Sequence, residues 1–357
     1  MPTLAEMSAI ADCATAKPPR LRRREVILGD GHRVGLSLCG EGVPLVLVHG
    51  IMAEGMLYAR SLRRLAGLGF RVIAVDTASH GRTAGLGPRG LRWQAYVELH
   101  ERVLDHLGLE RAVLMGHSMG GRIVVDVAAR NPDRALAVVP INAAIGAGFD
   151  RFTKLSRFVP GLLPLGLGLL AVDIGATIVR GRREMGALAR LAAPSLLDRA
   201  RALPAVPAAF VATISDQGSA ERLRELRRQR VPTIVVHSTG DLAIWYPFAK
   251  DAARDAGATL VTVPRAQHSW MIEHPDSLPA LVADLLDGPL GGAIDDRGSE
   301  GIDAMWHEGA LGLDLDAPRS RPYRLQAKHH WVIDPPAVDR TADATADIDS
   351  ADRVASF

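Results

Sequence analysis

The order of apolar segments in this 357-residue chain predicts an α/β architecture, a mostly parallel sheet with helices on both faces. Three observations carry the prediction. Leu45-Val46-Leu47-Val48, Arg71-Val72-Ile73-Ala74-Val75 and Ala112-Val113-Leu114-Met115 are apolar runs of strand length, as strands covered on both faces require. Between them lie stretches with apolar residues at helical spacing, from Met56 to Leu65 and from about Leu91 to Leu107. Just past the carboxyl ends of the runs stand His49, Asp76 and Ser118, where parallel sheets collect their chemistry.

The elements follow in order. Residues 1–24 lack periodicity and read as a flexible arm, with Arg20, Arg22, Arg23 and Arg24 as a solvated lead-in. Glu25 to Leu28 and Arg33 to Leu38 flank Gly29-Asp30-Gly31, a hairpin turn signal. The first parallel strand ends at His49-Gly50, and the second runs into the polar loop Asp76 to Thr83. After the strand at Ala112 come Gly116-His117-Ser118-Met119-Gly120-Gly121, a helical run from Arg122 to Arg130, and the strand Ala135 to Ile141.

Between 143 and 230 the alternation fails. Phe158 to Val172 approaches the length of a membrane span, but two prolines, three glycines and the following Asp173 weaken that reading in favour of an apolar lid. Arg180, Arg182, Arg183, Arg222, Arg224, Arg227, Arg228 and Arg230 could face an anionic substrate or surface, or simply water. The sheet resumes with Thr233 to Val236, a helix near Phe248 to Ala256, the strand Thr259 to Val263 and a helix Leu278 to Leu286. Residues 288–357 turn to Asp, Ala, Gly and Pro and read as a mostly disordered tail, with a segment around Tyr323 to Val332 that could dock.

Composition narrows the class. Hydrophobic residues make up 48% and charged residues 23%, so a large core is available. A net charge of +2 argues against nucleic acid as partner. Cys13 and Cys39 form no disulfide framework or metal spacing, and the first nineteen residues lack the apolar stretch of a signal peptide, so a reducing cytoplasm is expected. His329-His330 lacks a supporting ligand set, so neither a metal nor a cofactor is expected.

The elbow at 116–120 is the most informative stretch. A serine hydroxyl attacks only when a base takes its proton and a tight turn exposes its oxygen. Gly116 and Gly120 let such a turn close against its neighbours. Asp241, in the loop after Thr233 to Val236, suits the acid; Asp251 and Asp255 compete but fall in a helix. His268, reached from Val263 through Pro264-Arg265-Ala266-Gln267, suits the base, with His274 as a surface alternative.

Leu45 to Gly50, the Asp76 to Thr83 loop, the elbow, Asp241 and His268 together resemble the α/β-hydrolase superfamily over roughly residues 25–287. The resemblance implies an eight-stranded sheet, core parts at 25–142 and 231–287, and a helical cap at 143–230 inserted after the sixth strand. It implies a triad of Ser118, Asp241 and His268, an oxyanion hole of the Ile51 and Met119 backbone N–H groups, and a loop supported by His49 and Gly50. Ile51-Met52 after His49-Gly50 departs from better-known members, as does Ser79 where glycine is usual.

The expected activity is hydrolysis of a hydrophobic carboxylic ester through an acyl-enzyme. Carbon–carbon bond hydrolysis, lactonase and thioesterase chemistry use the same triad and stay open, as does a ligand receptor on the same scaffold. A serine at 118 argues against the dehalogenase and epoxide hydrolase branches, whose members carry aspartate there. The cap could also touch an anionic membrane peripherally.

Overall fold

The computed structural model describes residues 19–159, 161–180, 206–298 and 327–336. Among the described residues nine strands form one sheet: β1 (Arg22–Ile27), β2 (Arg33–Cys39), β3 (Val43–Val48), β4 (Phe70–Val75), β5 (Ala112–His117), β6 (Ala135–Ile141), β7 (Ile234–Ser238), β8 (Thr259–Val263) and β9 (Val332–Asp334). Their order is β1-β2-β4-β3-β5-β6-β7-β8-β9. From β4 to β8 the pairing is parallel; β1 and β2 at one edge and β9 at the other are antiparallel.

The two-residue period of a strand sends alternate side chains to opposite faces, and β3 shows why its run is unbroken. Val46 and Val48 pack with Ile123 and Val124 on one face, while Leu45 and Leu47 pack with Leu62, Leu281 and Leu285 on the other. Each of these four β3 side chains is buried, a gain of about 1.5–3 kcal/mol apiece over exposure. The covering helices include α1 (Ala59–Ala66), α2 (Trp93–His106) and α3 (Met119–Arg130). Register then brings the carboxyl ends together: Val48 lies beside both Val75 and Gly116, His117 beside Ile141, and Ser238 beside Val263.

Several expectations change. The first strand begins at Arg22, inside the expected arm, and Arg23 is no solvated lead-in: it reaches Asp76 at 2.5 Å and Glu54 at 3.4 Å, both buried. Nine strands replace eight because Val332–Asp334 pairs with the outer edge of β8, at the end of the expected docking segment; residues 323–326 of that segment lie outside the described residues. Pro289–Gly298 is a helix whose Leu290, Ala293 and Ile294 are buried in the core, so the expected tail does not begin at 288. His329 packs against Trp270 and His274, and the described residues hold no metal-ligating cluster. Buried Cys39 is a free thiol, and Cys13 lies outside the described residues.

Between β6 and β7 run α4 (Ala147–Leu155), α5 (Leu162–Arg180), α6 (Val206–Ser215) and α7 (Ser219–Arg228). No helix among the described residues is long and apolar enough to cross a membrane. Three of the four arginines of α7 pair with carboxylates of this chain: Arg222 with Asp126 and Asp216, Arg224 with Glu221 and Asp255, Arg228 with Glu221 and Glu225. Arg182 and Arg183 lie outside the described residues.

Candidate active site

Ser118 stands between β5 and α3 with φ 54° and ψ −119°, a positive-φ conformation that costs a non-glycine residue about 1–3 kcal/mol. The turn is held by close backbone approach. A Cβ on Gly116 would lie 2.6 Å from the Gly121 nitrogen, and one on Gly120 would lie 2.6 Å from the His49 carbonyl oxygen. Glycine at both positions is therefore a steric requirement of the elbow. Met119 opens α3, so its N–H has no intrahelical partner.

Asp241 and His268 come from the loops after β7 and β8, and His268 Nδ1 lies 2.7 Å from Asp241 Oδ2. The carboxylate has four donors: His268 and Asn142 Nδ2 (2.7 Å) on Oδ2, and the Ala243 and Ile244 N–H groups (both 2.8 Å) on Oδ1. Burial would raise its pKa, but the imidazole and these donors pull it down to about 2. Burial likewise disfavours the His268 imidazolium, yet the Asp241 charge and hydrogen bond outweigh it and raise the pKa above its ordinary value. Asp251 and Asp255 pair instead with Arg151, Arg254 and Arg224 on the surface helix α8 (Tyr246–Ala256).

The loop after β3 is braced by two histidines. His49, buried completely, donates from Nδ1 to the Gly50 carbonyl (2.7 Å) and accepts the Thr77 N–H at Nε2 (2.9 Å). Burial drives its pKa well down and keeps it neutral, as the acceptor role requires. The Gly50–Ile51 peptide is planar and trans, so holding its carbonyl on one side turns the Ile51 N–H to the other. His80 accepts the Met52 N–H at 3.1 Å and donates to the Ala78 carbonyl at 2.9 Å. Ser79, just before it, sits at φ 63°, which is why glycine is the easier residue there.

Ser118, His268, Ile51 and Met119 line one cavity, partly open to solvent. Its walls are Phe149, Phe152, Leu167, Leu170, Phe210 and Ile244. Thr153 and Thr213 also line it, but their hydroxyls donate to the Asp150 and Ala209 carbonyls of their own helices. Apart from His268, no ionisable side chain lines it among the described residues.

Two supports escaped sequence reasoning. Asn142, at φ 45° just past β6, links Asp241, Ser238 and the Trp270 indole; its place at a strand's carboxyl end was the available signal. His117 donates from Nε2 to the His268 carbonyl (3.0 Å) and accepts the Tyr58 hydroxyl proton at Nδ1 (2.9 Å). Burial lowers its pKa to about 3, so it stays neutral. No spacing rule connects Tyr58, His117 and His268.

A sheet of this order, with a strained serine elbow facing a histidine–carboxylate pair across one cavity, defines a class, and comparison agrees: residues 45–280 match the Alpha/beta hydrolase family, to which the chain belongs. It is 34% identical over 266 residues to a Mycobacterium phage D29 protein named "putative non-heme haloperoxidase", covering 74% of this chain and 94% of that one. An AB hydrolase superfamily protein of Bacillus subtilis is 25% identical over 68% of this chain and 91% of its own. The solved enol-lactonase of Burkholderia xenovorans shares the fold with a TM-score of 0.56 at 22% identity, over 74% of this chain and 100% of that one.

Proposed function

We propose that the protein is a serine hydrolase acting on an uncharged, hydrophobic carboxylic ester, with Ser118 as nucleophile, His268 as base and Asp241 as its orienting acid. The observation that carries this reading is the His268–Asp241 pair at the rim of an apolar cavity that Ser118 also lines. Ser118 Oγ attacks the ester carbonyl as His268 Nε2 takes its proton, while Asp241 holds Nδ1–H and favours the imidazolium. The tetrahedral oxyanion is received by the Met119 and Ile51 N–H groups. Its collapse expels the alkoxide, which leaves as the alcohol with the proton from His268. Water, deprotonated by His268, then attacks the acyl-serine, and the second collapse releases the acid and restores Ser118.

An uncharged acyl group follows from the walls: a carboxylate tail buried among Phe149, Phe152 and Leu170 would meet no cation there among the described residues. The 143–230 excursion serves in this reading as the cap, its helices α4, α5 and α6 supplying most of that wall. Hydrolysis of nitrophenyl esters of increasing acyl length, by the native protein and by Ser118→Ala, tests the proposal. The expected result is turnover that Ser118→Ala abolishes, with neutral acyl chains preferred over dicarboxylate half-esters. Equal turnover by a folded Ser118→Ala variant refutes it.

A further inference from the structure

Asp173 is the one charged residue between Leu162 and Val179, on an otherwise apolar helix, and it is buried. Its carboxylate accepts the main-chain N–H of His268, with both oxygens at 3.3 Å, and the main-chain N–H of Leu242 at 3.3 Å. One donor belongs to the histidine itself; the other belongs to the residue following Asp241. One turn further along α5, Thr177 donates to Glu273 at 3.0 Å, on the short helix α9 (Trp270–Glu273) that follows His268. The helix that roofs the cavity is thus stitched to both loops that carry the acid and the base.

We propose that Asp173 is a positioning residue, which ties the acid loop to the histidine loop and adds a second negative charge beside His268. The inference rests on the proposed serine hydrolase reading, whose base it positions. Two main-chain N–H groups at neighbouring loops would be left without this acceptor if the position were apolar, and unsatisfied buried donors displace the loops that carry them. The groups facing His268 are Asp241, Asp173, His117, whose ring centroid lies 4.8 Å away, and His237. Asp173 itself faces His268, Asp241 and Glu273, and Glu273 in turn faces Arg180. Both aspartates favour the imidazolium, whereas the two histidines oppose it when charged.

The test compares native protein with Asp173→Asn, Asp173→Glu and Thr177→Val. It reads the His268 ring titration by NMR, and kcat, KM and the acid limb of the pH profile with a nitrophenyl ester. Without the charge the imidazolium is less favoured, so Asp173→Asn moves the His268 midpoint and the acid limb down by about one pH unit. Misplacement of the base lowers kcat roughly tenfold or more, with a smaller change in KM. Asp173→Glu recovers most of the midpoint, and Thr177→Val, which keeps the charge, leaves it in place. A folded Asp173→Asn protein with native midpoint and kcat and only a lowered Tm overturns the proposal, since an anchor alone would behave so. Should the amide prevent folding, Asp173→Ser makes the same neutral comparison. A native protein that neither hydrolyses esters nor is labelled at Ser118 by a fluorophosphonate refutes the hydrolase reading, while the His268 midpoints still decide the role of Asp173.

Discussion

Replacing Gly120 by alanine perturbs the elbow by one methyl group. The added Cβ would lie 2.6 Å from the His49 carbonyl oxygen, where ordinary contact begins at 3.4 Å, and closer still to that of Val48, so more than 0.8 Å of separation must be found. Val48 cannot yield readily, because β3 is paired on both sides, with β4 and β5. The first turn of α3 must move instead, carrying Met119 N–H and Ser118 with it. Misplacement by about 1 Å costs on the order of a hundredfold in rate, or about 2.7 kcal/mol of transition-state stabilisation. Overpacking of this kind costs about 1–3 kcal/mol in stability. Steady-state kinetics with a nitrophenyl ester, alongside thermal unfolding, separates the two effects: kcat should fall by roughly two decades in protein that is still folded at the assay temperature. A folded Gly120→Ala protein within about threefold of native kcat would refute the argument that this backbone approach places the proposed oxyanion donors.

Other consequences are as direct. His49→Ala frees the Gly50 carbonyl from its clasp, so kcat should fall by about 10- to 100-fold while KM changes little, as kinetics on the same ester would show. In the proposed mechanism His268 must be neutral to accept the Ser118 proton, and its pKa is raised, so kcat/KM should rise with pH through a midpoint above 6.5; a midpoint clearly below that value counts against the Asp241 pairing. Arg23→Ala leaves Asp76 buried without its cation, at a cost of about 3–5 kcal/mol in urea unfolding. Burial already raises the Asp76 pKa to about 6 against Arg23's opposing charge, so its favourable contribution is present below about 3.8 and is lost as pH rises through 6. In the variant that loss should extend to higher pH, making the damage larger at pH 8 than at pH 5.

The parallel core was legible because its signals are local. Unbroken apolar runs such as Leu45 to Val48 can be satisfied only by covering both faces, and the glycines at 116 and 120 answer a clash at the turn that carries Ser118. The edges were less legible. Arg22 to Arg24 looks solvated until Arg23 meets Asp76, and Val332–Asp334 is too short to announce itself before β8 offers an edge.

What the sequence by itself determined is the set of chemical groups and their order along the chain: a serine elbow, then an acid, then a histidine, each just beyond a strand. Only the tertiary structure decided how those groups are tuned. Asn142 completes the set of donors around Asp241, His117, itself held by Tyr58, donates to the His268 carbonyl, and Asp173, which in the sequence is merely a charge interrupting an apolar stretch, becomes an acceptor for two loops. The reason is physical. Strand and turn preferences act over a few residues, whereas hydrogen bonds between groups 27 to 151 positions apart exist only after the sheet has brought its carboxyl ends side by side.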